Sequence, residues 1–330
     1  VGTLQKQKLG NSGLEIAPLV LGGNVFGWTV QEPLAFQIFD AFTAAGFNMI
    51  DTANSYPSWV PGNSGGESEA IIGNWLARSG KRARVLIATK VGWEISPERK
   101  GLKREYILKS AEESLKRLRT DYIDLYQSHK DDPTTPLEET LEAHAQLIRQ
   151  GKVRAIGASN YSAARLTDAL RISEQHGLPR YESLQPLYNL YDRADFEKDL
   201  EPVCRENNLG VIPYFSLAAG FLTGKYRSEA DAQQGARGGR VKKYLNERGM
   251  RILSALDSVS QKLVSKPARI ALAWMLARPS ITAPIASATS LDQLNDLIAS
   301  TQLNLDAESL KLLNDASAWE NESKATVAAS

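Results

Sequence analysis

The sequence predicts an α/β protein, a (β/α)8 TIM barrel with a short N-terminal hairpin and long loops on the C-terminal face of the strands. Three observations predict it. Eight short, β-rich apolar runs alternate with longer amphipathic stretches, the alternation that specifies a parallel sheet wrapped by helices. Glycine follows four of the helical stretches, at Gly46, Gly80, Gly151 and Gly177, where the left-handed end of a helix favours it. The 330 residues contain no Pro/Ser-rich linker, so one closed architecture across 1–330 is expected in preference to two domains.

In chain order, a tight turn over 9–14 is expected to form a small hairpin over the barrel floor. The eight strands are expected at 16–21, 48–51, 85–90, 122–127, 155–159, 183–185, 210–214 and 282–285. Helices are expected at 33–45, 67–79, 103–118, 136–150, 163–176, 196–207 and 269–277. The segment 222–249 lies outside the repeat and carries a Gly/Arg/Gln-rich tract at 233–240. A loop of that length is expected to be a lid or a solvated flexible segment. A polar tail follows Leu313, with 317–330 expected to be flexible.

Composition narrows the function. Hydrophobic residues are 42% and charged residues 23%, enough apolar side chain for a large core. Lys and Arg total 39 against 38 Asp and Glu, so no global field draws the chain to nucleic acid or a membrane surface. The single cysteine, Cys204, forms no internal disulfide, and His129, His144 and His176 show no metal-ligand spacing. The run 270–277 is far shorter than the ~20 residues that span a bilayer, and no signal pattern opens the chain. A cytoplasmic protein acting on a small molecule, with no metal, is the expectation; no oligomeric state follows.

In such a barrel, reactive groups gather at the C-terminal ends of the strands. Asp51 ends the second predicted strand, Tyr56 follows in the next loop, Lys90 ends the third strand and His129 follows the fourth. A carboxylate, a phenol, an ammonium and an imidazole converging on one mouth suit proton donation to a carbonyl oxygen. The ammonium is expected to lower the phenol pKa, the carboxylate to keep the ammonium charged, and the imidazole to orient the substrate oxygen. Singly, each has a plainer structural explanation; the shared position gives them weight.

Five ordered motifs add to this: Gly46-Phe-Asn-Met-Ile-Asp-Thr-Ala-Asn-Ser-Tyr56; Gly66-Glu-Ser-Glu69 with Ile72-Gly73; Ala88-Thr-Lys90; Asp121-Tyr-Ile-Asp-Leu-Tyr126 with His129; and Gly151-Lys-Val-Arg-Ala-Ile-Gly-Ala-Ser-Asn160. With them the chain resembles the aldo-keto reductase family from Leu9 to about Leu313. The resemblance implies a nicotinamide-dependent reductase with Asp51, Tyr56, Lys90 and His129 as its tetrad. It further implies that Ser159, Asn160 and Gln185 bind the nicotinamide carboxamide and that Tyr214 stacks on the ring. The stretch 218–225, with Gly220 and Lys225, would pass over the pyrophosphate, Thr289 and Gln293 would lie at the adenosine end, and Ser216, Leu217 and Ser287 would also bind the cofactor. No GxGxxG follows the first strand, which disfavours a Rossmann module.

One departure from the family pattern bears on the cofactor. Thr289 stands where many relatives carry a base for the adenosine 2′-phosphate, and Leu297 where Asn is common. NADPH/NADP+ is the expected cofactor, with NADH possible because Thr289 and Ser290 offer hydroxyls and no charge-assisted bond. Trp28, Trp59 and Trp93 are expected to wall the substrate site. Two competing readings are a cofactor-binding, redox-sensing regulatory subunit with little turnover, and a barrel hydrolase pairing Asp51 with Asp124.

Overall fold

The computed structural model describes residues 4–233 and 238–319. An antiparallel pair, β1 (Gln7–Lys8) and β2 (Glu15–Ile16), forms the N-terminal hairpin. Leu9 and Leu14 in its turn are buried, and with Ile16 they pack against Val20, Met49, Leu125 and Ile212, sealing the lower end of the barrel with apolar surface.

Eight parallel strands follow, interleaved with helices: β3 (Val20–Gly22), α1 (Glu32–Ala44), β4 (Met49–Asp51), α2 (Glu67–Ser79), β5 (Leu86–Val91), α3 (Arg104–Leu118), β6 (Ile123–Ser128), α4 (Leu137–Arg149), β7 (Val153–Ser159), α5 (Ala163–His176) and β8 (Tyr181–Gln185). Then come α6 (Glu201–Glu206), β9 (Gly210–Val211), α7 (Glu229–Gln233), α8 (Gly238–Val241), α9 (Glu247–Lys262), α10 (Pro267–Leu276), β10 (Ile285–Ala286), α11 (Leu291–Ser300) and α12 (Ala307–Ala316). The strand order runs β10-β3-β4-β5-β6-β7-β8-β9. The Thr282 and Ile285 amides donate to the Val211 and Pro213 carbonyls, both at 2.9 Å, and join the two ends of the sheet. The arrangement is that of a (β/α)8 barrel.

Proline accounts for three departures from the predicted strands. The run expected at 16–21 splits at Pro18, which has no N–H to give a ladder; Ile16 joins the hairpin and the barrel strand begins at Val20. The strand expected at 210–214 pairs regularly only over Gly210–Val211, with Pro213 beyond it, although Tyr214 still bridges Leu187. The strand expected at 282–285 becomes Ile285–Ala286, because Pro284 has no donor and serves as an acceptor for the Val20 amide.

The described parts of 222–249 are folded rather than a free loop. Leu222, Tyr226, Ala232, Val241 and Tyr244 are buried, and Phe221 stacks on Tyr244 with centroids 5.4 Å apart. Residues 234–237 of the Gly/Arg/Gln-rich tract lie outside the described residues. The chain after Leu313 continues α12 to Ala316, and buried Ser317 accepts a hydrogen bond from Arg193 at 2.7 Å. The rest of the predicted tail, 320–330, lies outside the described residues.

Candidate active site

A cavity of about 1080 Å³ opens at the C-terminal ends of the strands and is lined by Asp51, Tyr56 and His129 among others. Asp51 closes β4 and Lys90 lies on the neighbouring β5, both in the barrel interior. The Lys90 ammonium, with no exposed surface, donates to Asp51 Oδ2 at 2.7 Å, to the Thr52 carbonyl at 2.7 Å and to the Tyr56 hydroxyl at 3.2 Å. The Tyr56 and His129 rings meet edge to face, centroids 5.6 Å apart. Four predicted residues are thus brought together at one mouth.

Their electrostatics differ from the sequence expectation at one point. Tyr56 opens to the cavity, yet burial by the surrounding protein raises its pKa above the ordinary 10.0; Lys90 pulls the other way and does not prevail. The phenol is therefore protonated at neutral pH. Burial pulls the Lys90 pKa down, but Asp51 and then Tyr56 outweigh it and hold the ammonium above its ordinary value. Burial, aided by repulsion from Lys90, keeps the His129 imidazole well below its ordinary 6.5 and so neutral. Its Nδ1 is buried with no partner.

Beside this group, Asn160 directly follows β7 in the left-handed region at φ 54°. Its amide nitrogen donates to the His129 carbonyl at 2.8 Å and to Ser159 Oγ at 3.1 Å, and its oxygen accepts from the Tyr214 hydroxyl at 2.8 Å. The Ser159 hydroxyl donates to the Gln185 carbonyl at 2.8 Å. Ser159, Asn160, Gln185 and Tyr214 all line the cavity, as do Ser216, Leu217, Gly220 and Lys225. Ser216 is turned inward, its hydroxyl donating to the Ile285 and Pro213 carbonyls, so its backbone is what it offers a ligand. At Gly220, φ is 100°, a conformation that side chains rarely adopt.

Further along, Ser287, Thr289 and Gln293 line the same cavity. The hydroxyls expected to face a phosphate are already engaged. Ser290 caps α11 by accepting from the Gln293 amide at 3.2 Å, while the Thr289 amide and hydroxyl both donate to Gln293 Oε1, at 2.9 and 3.0 Å. Trp59 and Trp93 line the mouth, each more than two-fifths exposed. Trp28 is set behind them, edge-on to Trp59 with centroids 5.9 Å apart, and is not part of the lining.

The structure adds residues the sequence reading passed over. Gln127 is fully buried beneath Asp51 and donates to its Oδ1 at 3.1 Å; it ends the predicted fourth strand, so the rule that found Lys90 could have found it. Arg240, Lys266 and Asp296 line the cavity, and Asp296 holds Lys266 at 2.8 Å and Arg269 at 2.6 Å. The carboxylate pairing with Asp124 is overturned. Asp124 is locked between Arg82 and Arg154, each at 2.7 Å, and does not line the cavity.

A cavity lined by amide groups, an aromatic face, a glycine turn with a lysine, and residues at the start of a helix has the donor set of a dinucleotide site. Among the described residues no group of three His, Cys, Asp or Glu is placed to hold a metal, and no helix is long and apolar enough to cross a membrane.

Residues 18–318 match the model of the Aldo/keto reductase family. The chain is 37% identical to the uncharacterized oxidoreductase YrpG of Bacillus subtilis (93% of this chain, 94% of the relative) and 33% identical to protein tas of Escherichia coli (93% and 96%). It is 31% identical to L-glyceraldehyde 3-phosphate reductase of Escherichia coli (89% and 87%).

Proposed function

The chain belongs to the aldo/keto reductase family, and from that premise we propose that it is an NADP(H)-dependent oxidoreductase interconverting an aldehyde or ketone and the corresponding alcohol. The observation that carries this reading is the buried Lys90 ammonium lying between Asp51 Oδ2 and the Tyr56 hydroxyl at the cavity mouth. When bound, the nicotinamide cofactor supplies the hydride for reduction and accepts it in oxidation. Ser159, Asn160 and Gln185 would hold its carboxamide and Tyr214 the ring face. Ser216, Leu217, Gly220 and Lys225 would hold the pyrophosphate, and Ser287, Thr289 and Gln293 the adenosine end.

The chain's own groups manage the proton. Tyr56, kept neutral by burial, gives its hydroxyl proton to the carbonyl oxygen during reduction and recovers it in the reverse direction. Lys90 stabilises the phenolate left behind, and Asp51 keeps Lys90 charged and placed. His129, neutral at physiological pH, donates a hydrogen bond to the substrate oxygen without adding charge. Trp59 and Trp93 flank the mouth and shed water from the reacting groups, with Trp28 bracing Trp59.

Tyr56→Phe should lower turnover ~10²–10⁴-fold while cofactor affinity, measured by fluorescence titration, stays near that of the parent. Near-normal turnover in that variant would remove Tyr56 from the mechanism. Tight cofactor binding with no turnover on a broad panel of aldehydes, ketones and alcohols would instead support the regulatory-subunit reading.

A further inference from the structure

We propose that Gln127 is a positioning residue for this reaction: it orients Gln185 and Asp51 together, so that the nicotinamide subsite and the Asp51–Lys90–Tyr56 proton machinery form one hydrogen-bonded unit. The inference rests on the oxidoreductase reading above and adds a residue that touches neither substrate nor cofactor.

The geometry begins with register. Lys90 on β5 is paired with Gln127 on β6, and Gln127 with Gly157 on β7, so the three lie in one row across the barrel. At Gly157 a Cβ would come within 3.2 Å of Gln127 Cγ and would collide with Ser183 Oγ; glycine leaves the space that the Gln127 side chain uses. Gln127 has no exposed surface and does not line the cavity, whereas Asp51 and Gln185 do. It is the floor on which both rest.

Hydrogen-bond chemistry then fixes which way each amide points. The Asp51 carboxylate only accepts. Its Oδ2 is taken by Lys90, and its Oδ1 receives the amide nitrogens of Gln127 at 3.1 Å and Gln185 at 2.9 Å. The Gln185 nitrogen also donates to Gln127 Oε1 at 3.1 Å. Gln185 thus spends both N–H groups on Asp51 and Gln127, which leaves its oxygen as the acceptor for a cofactor carboxamide N–H. Without Gln127, one Gln185 N–H loses its partner, the amide is free to turn over, and Asp51 Oδ1 loses a donor that keeps Oδ2 on Lys90. A buried network with one member removed is left partly unsatisfied, and its geometry loosens.

The test uses the full chain. Gln127→Leu removes both hydrogen-bonding groups, and Gln127→Glu keeps the shape but puts an acceptor against Asp51. Parent and variants are titrated with the oxidised cofactor and with the matching adenosine diphosphoribose fragment, which lacks the nicotinamide ring; turnover is followed from about pH 5 to 9. The expectation for Gln127→Leu is about tenfold weaker binding of the whole cofactor, fragment binding unchanged, and a kcat about tenfold to a hundredfold lower. The activity of Gln127→Glu relative to the parent should rise as pH falls, because a protonated Glu can again donate to Asp51. Parent-like cofactor affinity and kcat in Gln127→Leu would overturn the proposal. So would equal losses for cofactor and fragment in both variants with a flat relative pH profile, since packing alone then explains them. Failure of the underlying reading is separate: it would show as a parent protein that binds neither ligand.

Discussion

The Tyr56 proton is governed by two opposed effects, and both directions of the reaction depend on the balance between them. Burial raises the phenol pKa and Lys90 lowers it, with burial prevailing. Reduction starts from the protonated phenol, which burial favours, and leaves a phenolate; oxidation starts from that phenolate, which Lys90 favours, so both directions pass through a transition state that Lys90 stabilises. Lys90→Met should therefore cut kcat/KM for alcohol oxidation and for carbonyl reduction alike, by ~10²–10⁴-fold. The rise of oxidation with pH should also move to higher pH. Initial rates in both directions from about pH 6 to 10 would check this, and near-parent rates or an unmoved profile would contradict the coupling. The same substitution leaves Asp51 buried without its cation, so stability should fall by ~3–5 kcal/mol, readable by urea unfolding.

At the scale of elements, the join of β10 to α11 bears on cofactor choice. Thr289 is tied by amide and hydroxyl to Gln293, and Ser290 caps the helix, so no side chain there offers a charge to a phosphate. Lys266 and Arg240 are cations in the cavity wall, and Asp296 already holds the former. Thr289→Arg should tighten NADPH by ~1.5–3 kcal/mol and leave NADH nearly unchanged, as calorimetric titration of both would show. An equal effect on both cofactors would mean that Thr289 does not face the 2′-phosphate. Sequence patterning served well where strands were uninterrupted: Lys90 and Ser159 each fall on a barrel strand expected from its apolar run. It failed at Pro18, Pro213 and Pro284, where hydropathy continues through a residue that cannot donate to a ladder. Gln127 was visible as a polar strand end but carries no charge, and only the register that sets it under Asp51 reveals its use. The folding of the described parts of 222–249 depends on long-range contacts such as Phe221 with Tyr244, which no local pattern encodes.

For the molecule as a whole, two buried histidines make stability depend on mild acid. His144 on α4 is fully buried beside Tyr126 and Tyr181; its Nδ1 donates to the Thr140 carbonyl and its Nε2 has no partner. Burial pulls its pKa from 6.5 down to about 4, against the smaller upward pull of the Thr140 bond. The unfolded chain takes up a proton near 6.5 that the folded chain refuses until about 4, so the unfolded state gains as pH falls through that window. The contribution is fully present above about 6.5, and for His144 it amounts to about 2 kcal/mol lost between pH 7 and 5. His129, depressed by burial and by Lys90, acts in the same direction. His144→Leu removes the titrating group together with an unpaired buried nitrogen, so neutral-pH stability should change little while the loss between pH 7 and 5 shrinks by about 2 kcal/mol. Urea midpoints of parent and variant at the two pH values measure the difference directly. Parallel losses in both proteins would mean that the acid sensitivity arises elsewhere, since the carboxylates held low by their hydrogen bonds, such as Asp132 with a pKa of about 2, begin to lose their contribution only as pH falls below the ordinary carboxylate range.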